Sequence, residues 1–90
     1  MLLILYDIQS DRLRTRFSKF LQKYGRRIQY SVFEIKNSPR ILKNIEIEIN
    51  VHFEKRFSQG DSVLVYQVGD NACLKRFGYP INEEEDLIIC

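Results

Sequence analysis

Residues able to do chemistry by themselves are scarce in this chain. It has a single histidine, and its two cysteines, Cys73 and Cys90, have neither CxxC spacing nor a histidine pair beside them. That pattern indicates neither a zinc site nor a disulfide framework, and two free thiols fit a reducing compartment. No Ser–His–Asp or Cys–His arrangement can be assembled, and no glycine loop is present that would cradle a phosphate. No stretch approaches the roughly 20 apolar residues of a membrane span. The N-terminal apolar run is short and lacks a basic lead, unlike a signal peptide. The expectation is a soluble cytoplasmic protein with no membrane partner. Acidic residues are also missing from one region: between positions 8 and 33, seven of the fourteen basic residues are opposed by Asp11 alone.

What is present is a core-forming composition. The 90 residues are 44% hydrophobic and include five tyrosines and six phenylalanines. A domain this small buries only about two-thirds of the surface its unfolded chain exposes, so the excess of core formers points to a partner surface. The net charge is only +2, with the basic first third balanced by the "EEED" segment at 83–86. That asymmetry suggests an anionic ligand on one surface. The chain divides into one core domain over residues 1–80 and an acidic linker with a terminal strand over 81–90.

"LLILY" (2–6) reads as a strand buried on both faces. Ser10 is a natural N-cap, with Asp11 at the positive end of the helix that follows. Leu13, Phe17, Phe20, Leu21 and Tyr24 make one helical face, and Gly25 supplies the stop. "RIQYSVFEIK" (27–36) reads as a second strand. Asn37, Ser38 and Pro39 start a second helix. Its sequence is ambiguous, because "IEIEINVHFE" (45–54) alternates like a strand. Ile41, Leu42, Ile45, Ile49, Phe53 and Phe57 nevertheless form a helical face, and 39–57 is too long for an ordinary strand. A helix is expected, with Ile47 and Val51 projecting from its other side.

Gln59-Gly60-Asp61 is a turn, "SVLVYQV" (62–68) a third strand, Gly69-Asp70-Asn71 a hairpin signal and "ACLKRF" (72–77) a short fourth strand. Gly78 and Pro80 close it, and "LIIC" (87–90) is a last apolar stub. The expected class is α+β: a ferredoxin-like βαββαβ sandwich with an extra C-terminal strand and two helices on one face of a four-stranded sheet. Because the strands are apolar on both faces, the uncovered face calls for a second copy, giving a homodimer packed through its sheets. The terminal strand would pair with an edge of its own or its partner's sheet.

Asp7 ends the first strand, and in a buried parallel sheet that position is where ligands gather. A lone carboxylate is a weak catalyst. Two Asp7 side chains across a dimer axis could hold one Mg²⁺, an ion that commonly takes one or two carboxylates plus water and phosphate oxygens. The plain alternative is that Asp7 caps a turn. On a helical wheel Arg12, Arg16, Lys19 and Lys23 form a stripe separate from the apolar face, suited to a phosphate backbone. Arg14 lies off that stripe, and Arg26 and Arg27 add charge at the helix exit. The stripe is nearly devoid of glutamates at i+4, which argues against an ordinary ion-paired solvated face. Tyr6, Tyr30, Tyr66 and Phe33 have the shape to stack on bases, although strand aromatics are mostly core. His52 reads as a structural or solvated residue, and Glu34 as a second acid or an ion-pair partner.

"YDI" (6–8), "RLRTR" (12–16), "YG" (24–25) and above all "QYSVFE" (29–34) resemble the CRISPR-associated protein 2 family, the small partner of the CRISPR integrase. The resemblance covers essentially the whole chain. It implies a ferredoxin-like homodimer packed sheet to sheet, with C-terminal strands added to the partner's sheet. It also implies a metal-dependent endonuclease acting on RNA or DNA, with Mg²⁺ or Mn²⁺ held at Asp7. Tyr6, Arg14, Arg16, Arg27 and Phe33 match positions linked to that activity, Arg27 being adjacent to a second candidate in Arg26. The second implied role is architectural: during spacer acquisition the dimer bridges two dimers of the integrase, CRISPR-associated protein 1, and holds the incoming duplex. The nucleic-acid-binding set is then Arg12, Arg14, Arg16, Lys19, Lys23, Arg26 and Arg27, with duplex DNA or single-stranded RNA as ligand. A stand-alone toxin-like endoribonuclease of the same fold, like virulence-associated protein D, is the alternative.

Overall fold

Ser10 caps the first helix as its sequence position predicts. The backbone there is extended, and the side-chain hydroxyl accepts the Leu13 N–H at 3.2 Å. The helix, α1 (Asp11–Gln22), buries Leu13, Phe17, Phe20 and Leu21 against a sheet whose first strand is β1 (Leu2–Asp7). In a computed structural model that describes residues 1–69 and 73–78, the chain continues as β2 (Gly25–Gln29), β3 (Val32–Ile35), α2 (Pro39–Glu48), β4 (Ser62–Gln67) and β5 (Cys73–Gly78). The hairpin tip at 70–72, the closing Pro80, the acidic linker, the terminal strand at 87–90 and Cys90 lie outside the described residues.

The strands line up as β2-β3-β1-β4-β5, and every neighbouring pair is antiparallel. The first four strands and two helices follow the βαββαβ order of a ferredoxin-like domain, and β5 adds a hairpin partner to β4. Two expectations change here. The segment 27–36 is not one strand but a hairpin, β2–β3, broken at Tyr30 and Ser31, with Ser31 at φ 65°. The left-handed region is disfavoured for serine, so no glycine or asparagine marks the turn in the sequence. A bulge at Ile28 lets Arg27 pair with Phe33 and Gln29 with Val32. The sheet therefore has five strands rather than four. It is also antiparallel throughout, so the rule that ligands gather at the carboxyl ends of parallel strands does not apply to Asp7.

Gly25 does not stop the helix. The chain leaves α1 through Lys23 in right-handed helical geometry, and Gly25 is already the first residue of β2. A Cβ at that position would sit 2.2 Å from the Glu34 carbonyl oxygen and 2.6 Å from the Ile35 side chain. Glycine is there because β2 and β3 approach closely.

The ambiguous second segment is helical. Ser38 caps it, its hydroxyl accepting the Ile41 N–H at 3.4 Å, and Pro39 sits in the first turn. After Glu48 the helix loosens into a π-helical stretch (Ile49–Phe53) and tightens into a 3₁₀ turn (Glu54–Arg56). The reason lies in the spacing of Ile45, Ile49, Phe53 and Phe57, all buried. Steps of four residues overshoot a 3.6-residue turn by about 40° each, and a wider π turn winds that drift back. Ile47 and Val51 project to solvent as predicted.

Phe17 is the centre of the layer between helices and sheet. Its ring meets Phe53 at 5.0 Å and Tyr6 at 5.1 Å, both edge to face, the geometry aromatic quadrupoles favour. Alternation along β1 points Leu2, Ile4 and Tyr6 into this layer and leaves Leu3 and Leu5 half-buried on the opposite face. Val32 and Leu64 lie beside Leu5 across the sheet, and Tyr66 lies beside Leu3. That open face is thus apolar at its centre.

Candidate functional site

Asp7 is the last residue of β1 and shares the alternation of Leu3 and Leu5, so it stands exposed at one end of the open face, opposite Ser62 of β4. The Gln9 side-chain amide donates to its Oδ1 at 3.3 Å. No group of three or more His, Cys, Asp or Glu residues that could hold a metal occurs among the described residues.

The loop after Asp7 is pinned from two sides. Arg14 reaches back from α1 and donates to the Ile8 carbonyl at 3.0 Å, while also pairing with Asp11. That hydrogen bond to Asp11 pushes the guanidinium further above its already high ordinary range; partial desolvation opposes it, and Tyr30, Asp11 and Tyr6 add favourable through-space interactions. On the other side Asp61 accepts the Gln9 backbone N–H at 2.8 Å. Asp61 is 1% exposed, and its second oxygen accepts the Ser58 N–H at 2.8 Å and the Ser58 hydroxyl at 3.1 Å. A buried carboxylate is tolerated only when its oxygens are satisfied in this way. The sequence marked Gln59-Gly60-Asp61 as a turn but gave no sign of the burial, because Gln9 lies 52 residues away.

The two arginines at the helix exit separate onto opposite faces of β2. Arg26 turns to the open face and pairs with Glu34 at 3.1 Å. Arg27 turns to the helix side, where its Nη2 donates to the Ser18 hydroxyl at 2.5 Å and its guanidinium lies 5.7 Å from the centre of the Phe33 ring. Phe33 is fully buried. Between α1 and the β2–β3 hairpin lies a cleft of about 360 Å³ bounded by Tyr6, Arg14, Lys19, Arg27 and Tyr30.

Arg12 and Arg16 lie on the other flank of α1, where they bound a shallow cavity of about 270 Å³ together with Arg56. Lys23 borders the neighbouring depression, with Arg16, Arg56 and His52 around it. Arg56 was not visible as a site residue in the sequence; α2 and its 3₁₀ turn bring it to α1. Of the predicted stripe, then, Arg12, Arg16 and Lys23 stay together, and Lys19 borders the hairpin-side cleft instead. Ion pairs among the described residues involve Arg14, Arg26, His52 and Lys75; Arg12, Arg16, Lys19, Lys23 and Arg27 form none there, with Glu48 bordering the depression that Arg16 and Lys23 share. His52 is exposed, 3.9 Å from Glu48. No helix among the described residues is long and apolar enough to cross a membrane.

Comparison with known proteins bears on this arrangement. A family model described as CRISPR associated protein Cas2 matches residues 1–76. A Synechocystis protein named CRISPR-associated endoribonuclease Cas2 3 is 35% identical over 63 residues, covering 70% of this chain and 65% of the relative. A Halalkalibacterium halodurans protein named CRISPR-associated endonuclease Cas2 is 32% identical over 77 residues, 79% of this chain and 76% of the relative. A shorter stretch of 38 residues is 45% identical to a Methanospirillum hungatei protein named CRISPR-associated endoribonuclease Cas2 2, covering 42% of this chain and 43% of that one. The match spans less than two thirds of the Methanospirillum and Synechocystis relatives' own length. The family match takes in β1 with Asp7, all of α1, the β2–β3 hairpin and most of β5, so the ferredoxin-like order and the sequence motifs agree: the chain belongs to the CRISPR-associated protein Cas2 family.

Proposed function

We propose that this protein binds nucleic acid as a CRISPR adaptation factor, working as a homodimer that bridges integrase dimers, and that it cleaves phosphodiesters with a divalent metal held at Asp7. The observation that carries the binding part is the set of cations on α1 and its neighbours that form no ion pair among the described residues: Arg12, Arg16, Lys19, Lys23 and Arg27. A rigid helix presenting such charges suits a phosphate backbone, which is recognised through charge rather than base sequence.

The homodimer is supported by the open sheet face, where Leu3, Leu5, Val32 and Leu64 are adjacent and Tyr66 is exposed. A symmetric partner laid on that face covers apolar surface on both chains. The same packing would bring a second Asp7 toward the first. Mg²⁺ accepts one or two carboxylates and completes its octahedron with water, so two Asp7 side chains, one from each chain, would suit the ion. When bound, it would supply an activated water and neutralise charge developing on a phosphodiester. Names of the relatives, endoribonuclease for two and endonuclease for one, favour the cleavage reading without choosing between RNA and DNA.

The deciding experiment compares wild type and Asp7→Ala, with and without Mg²⁺ or Mn²⁺, on single-stranded RNA and duplex DNA, alongside integrase-dependent spacer acquisition. The expected result is metal-dependent cleavage lost in the variant while duplex binding persists. Unchanged cleavage by Asp7→Ala overturns the metal assignment. RNA cleavage without duplex binding and without any effect on acquisition would make the protein a toxin-like ribonuclease instead.

A further inference from the structure

The hairpin-side cleft differs in kind from the rest of the basic surface. Its volume of about 360 Å³ falls at the small end of ligand pockets, which run from about 300 to 1,000 Å³. Arg14, Lys19 and Arg27 lie along it, and no carboxylate does. Tyr30 forms part of its border and is 73% exposed, the most exposed of the large apolar and aromatic residues described.

The backbone next to Tyr30 is held in position. Tyr30 precedes Ser31, whose left-handed backbone makes the hairpin turn, and the Ser31 carbonyl accepts the Tyr6 N–H at 3.1 Å. Across the cleft, Arg27 is fixed by Ser18 and by the Phe33 ring. An exposed aromatic ring beside an anchored cation is an arrangement single-stranded nucleic acids use: the phosphate takes the cations and the base stacks on the ring. A space this small admits one nucleotide and not a duplex.

We propose that this cleft binds one unpaired nucleotide, with its base stacked on Tyr30 and its phosphate held by Lys19 and Arg27. The site is separate from Asp7, which stands at the end of the opposite sheet face. It rests on the nucleic-acid-binding reading above and sharpens it: the α2-side flank of α1 serves duplex backbone, and the hairpin side serves a splayed or single-stranded nucleotide.

The chain contains no tryptophan, so Tyr30→Trp installs a single indole reporter at the site. The full-length variant is titrated with oligo-dT and oligo-U of about eight nucleotides, within the usual single-strand site size, and with a blunt duplex. Anisotropy of labelled strands reports binding independently. The proposal expects saturable quenching of the indole by a single strand and little by the duplex. In the otherwise native chain, Tyr30→Ala should weaken single-strand binding on the order of tenfold and leave duplex binding within about twofold, and Lys19→Gln should weaken the single strand in the same direction. Tyr30 and Lys19 are exposed, so neither change threatens folding, and circular dichroism checks this. Single-strand binding seen by anisotropy with no quenching and no loss in Tyr30→Ala overturns the cleft assignment and leaves the nucleic-acid reading intact. Equal quenching by duplex and single strand overturns it too. No binding of either ligand at low salt overturns both readings.

Discussion

Asp61 Oδ1 accepts the backbone N–H of Gln9 at 2.8 Å, tying the turn before β4 to the loop that follows β1. Both oxygens of this buried carboxylate are occupied, the second by the Ser58 N–H and hydroxyl. The loop so held carries Ser10, the cap of α1, and immediately follows Asp7. One buried acid therefore sets the start of the basic helix relative to the strand-end carboxylate.

Replacing it should be costly. Asp61→Ala leaves the Gln9 and Ser58 amides without their acceptor at a part-buried place, and each such orphan costs up to about 1–3 kcal/mol. A loss of about 3 kcal/mol is expected in urea unfolding, a large share of a small domain's total. Asp61→Asn, which keeps the shape and one acceptor oxygen, should lose less. Equal midpoints for wild type and Asp61→Ala would show that the link is dispensable.

Gly25→Ala probes a different constraint. The added methyl meets the backbone of β3 rather than a flexible side-chain end, so it cannot be relieved by a rotamer change. Overpacking of this kind typically costs about 1–3 kcal/mol. Amide exchange should rise along Gly25–Gln29 and Val32–Ile35, the two strands pushed apart, while β4 stays protected.

For the α2-side flank the prediction concerns salt. Each phosphate contact on B-DNA contributes about 0.9 to the slope of log affinity against log salt. Changing Arg12, Arg16 and Lys23 together to glutamine should lower the slope for a duplex by about 2–3, with little dependence on its base sequence. A slope that does not change places the duplex elsewhere.

On the open face, Leu64→Glu puts a charge beside Leu5, its register partner at the centre of the apolar patch. Burying an unpaired carboxylate between two chains is strongly unfavourable, whereas on a solvent-exposed single sheet it is tolerated. Analytical ultracentrifugation should find a dimer for wild type and a monomer for the variant, with a retained circular dichroism spectrum. A monomeric wild type would remove both the dimer and the paired Asp7 site.

The elements legible in the sequence are those whose causes are local. Ser10 and Ser38 cap helices through bonds to amides three residues on, and Leu13, Phe17, Phe20 and Leu21 follow the 3.6-residue period that buries one face. The family motifs at 6–8 and 29–34 were readable for the same reason, since each is a contiguous run. What only the tertiary structure decided depends on residues distant in the chain. The break at Tyr30 and Ser31 arises because β2 must fold back onto β3, and serine carries no local mark of a left-handed turn. Gly25 looked like a helix stop because its real neighbours, Glu34 and Ile35, meet it only across the sheet. Arg26 and Arg27 are indistinguishable side by side in sequence, and strand alternation sends one to Glu34 and the other to Ser18. Asp61 was an ordinary turn residue until Gln9 was brought to it. Side-chain chemistry and short-range periodicity are properties of the sequence; which groups lose water together, and which cations find a carboxylate partner, is settled by packing.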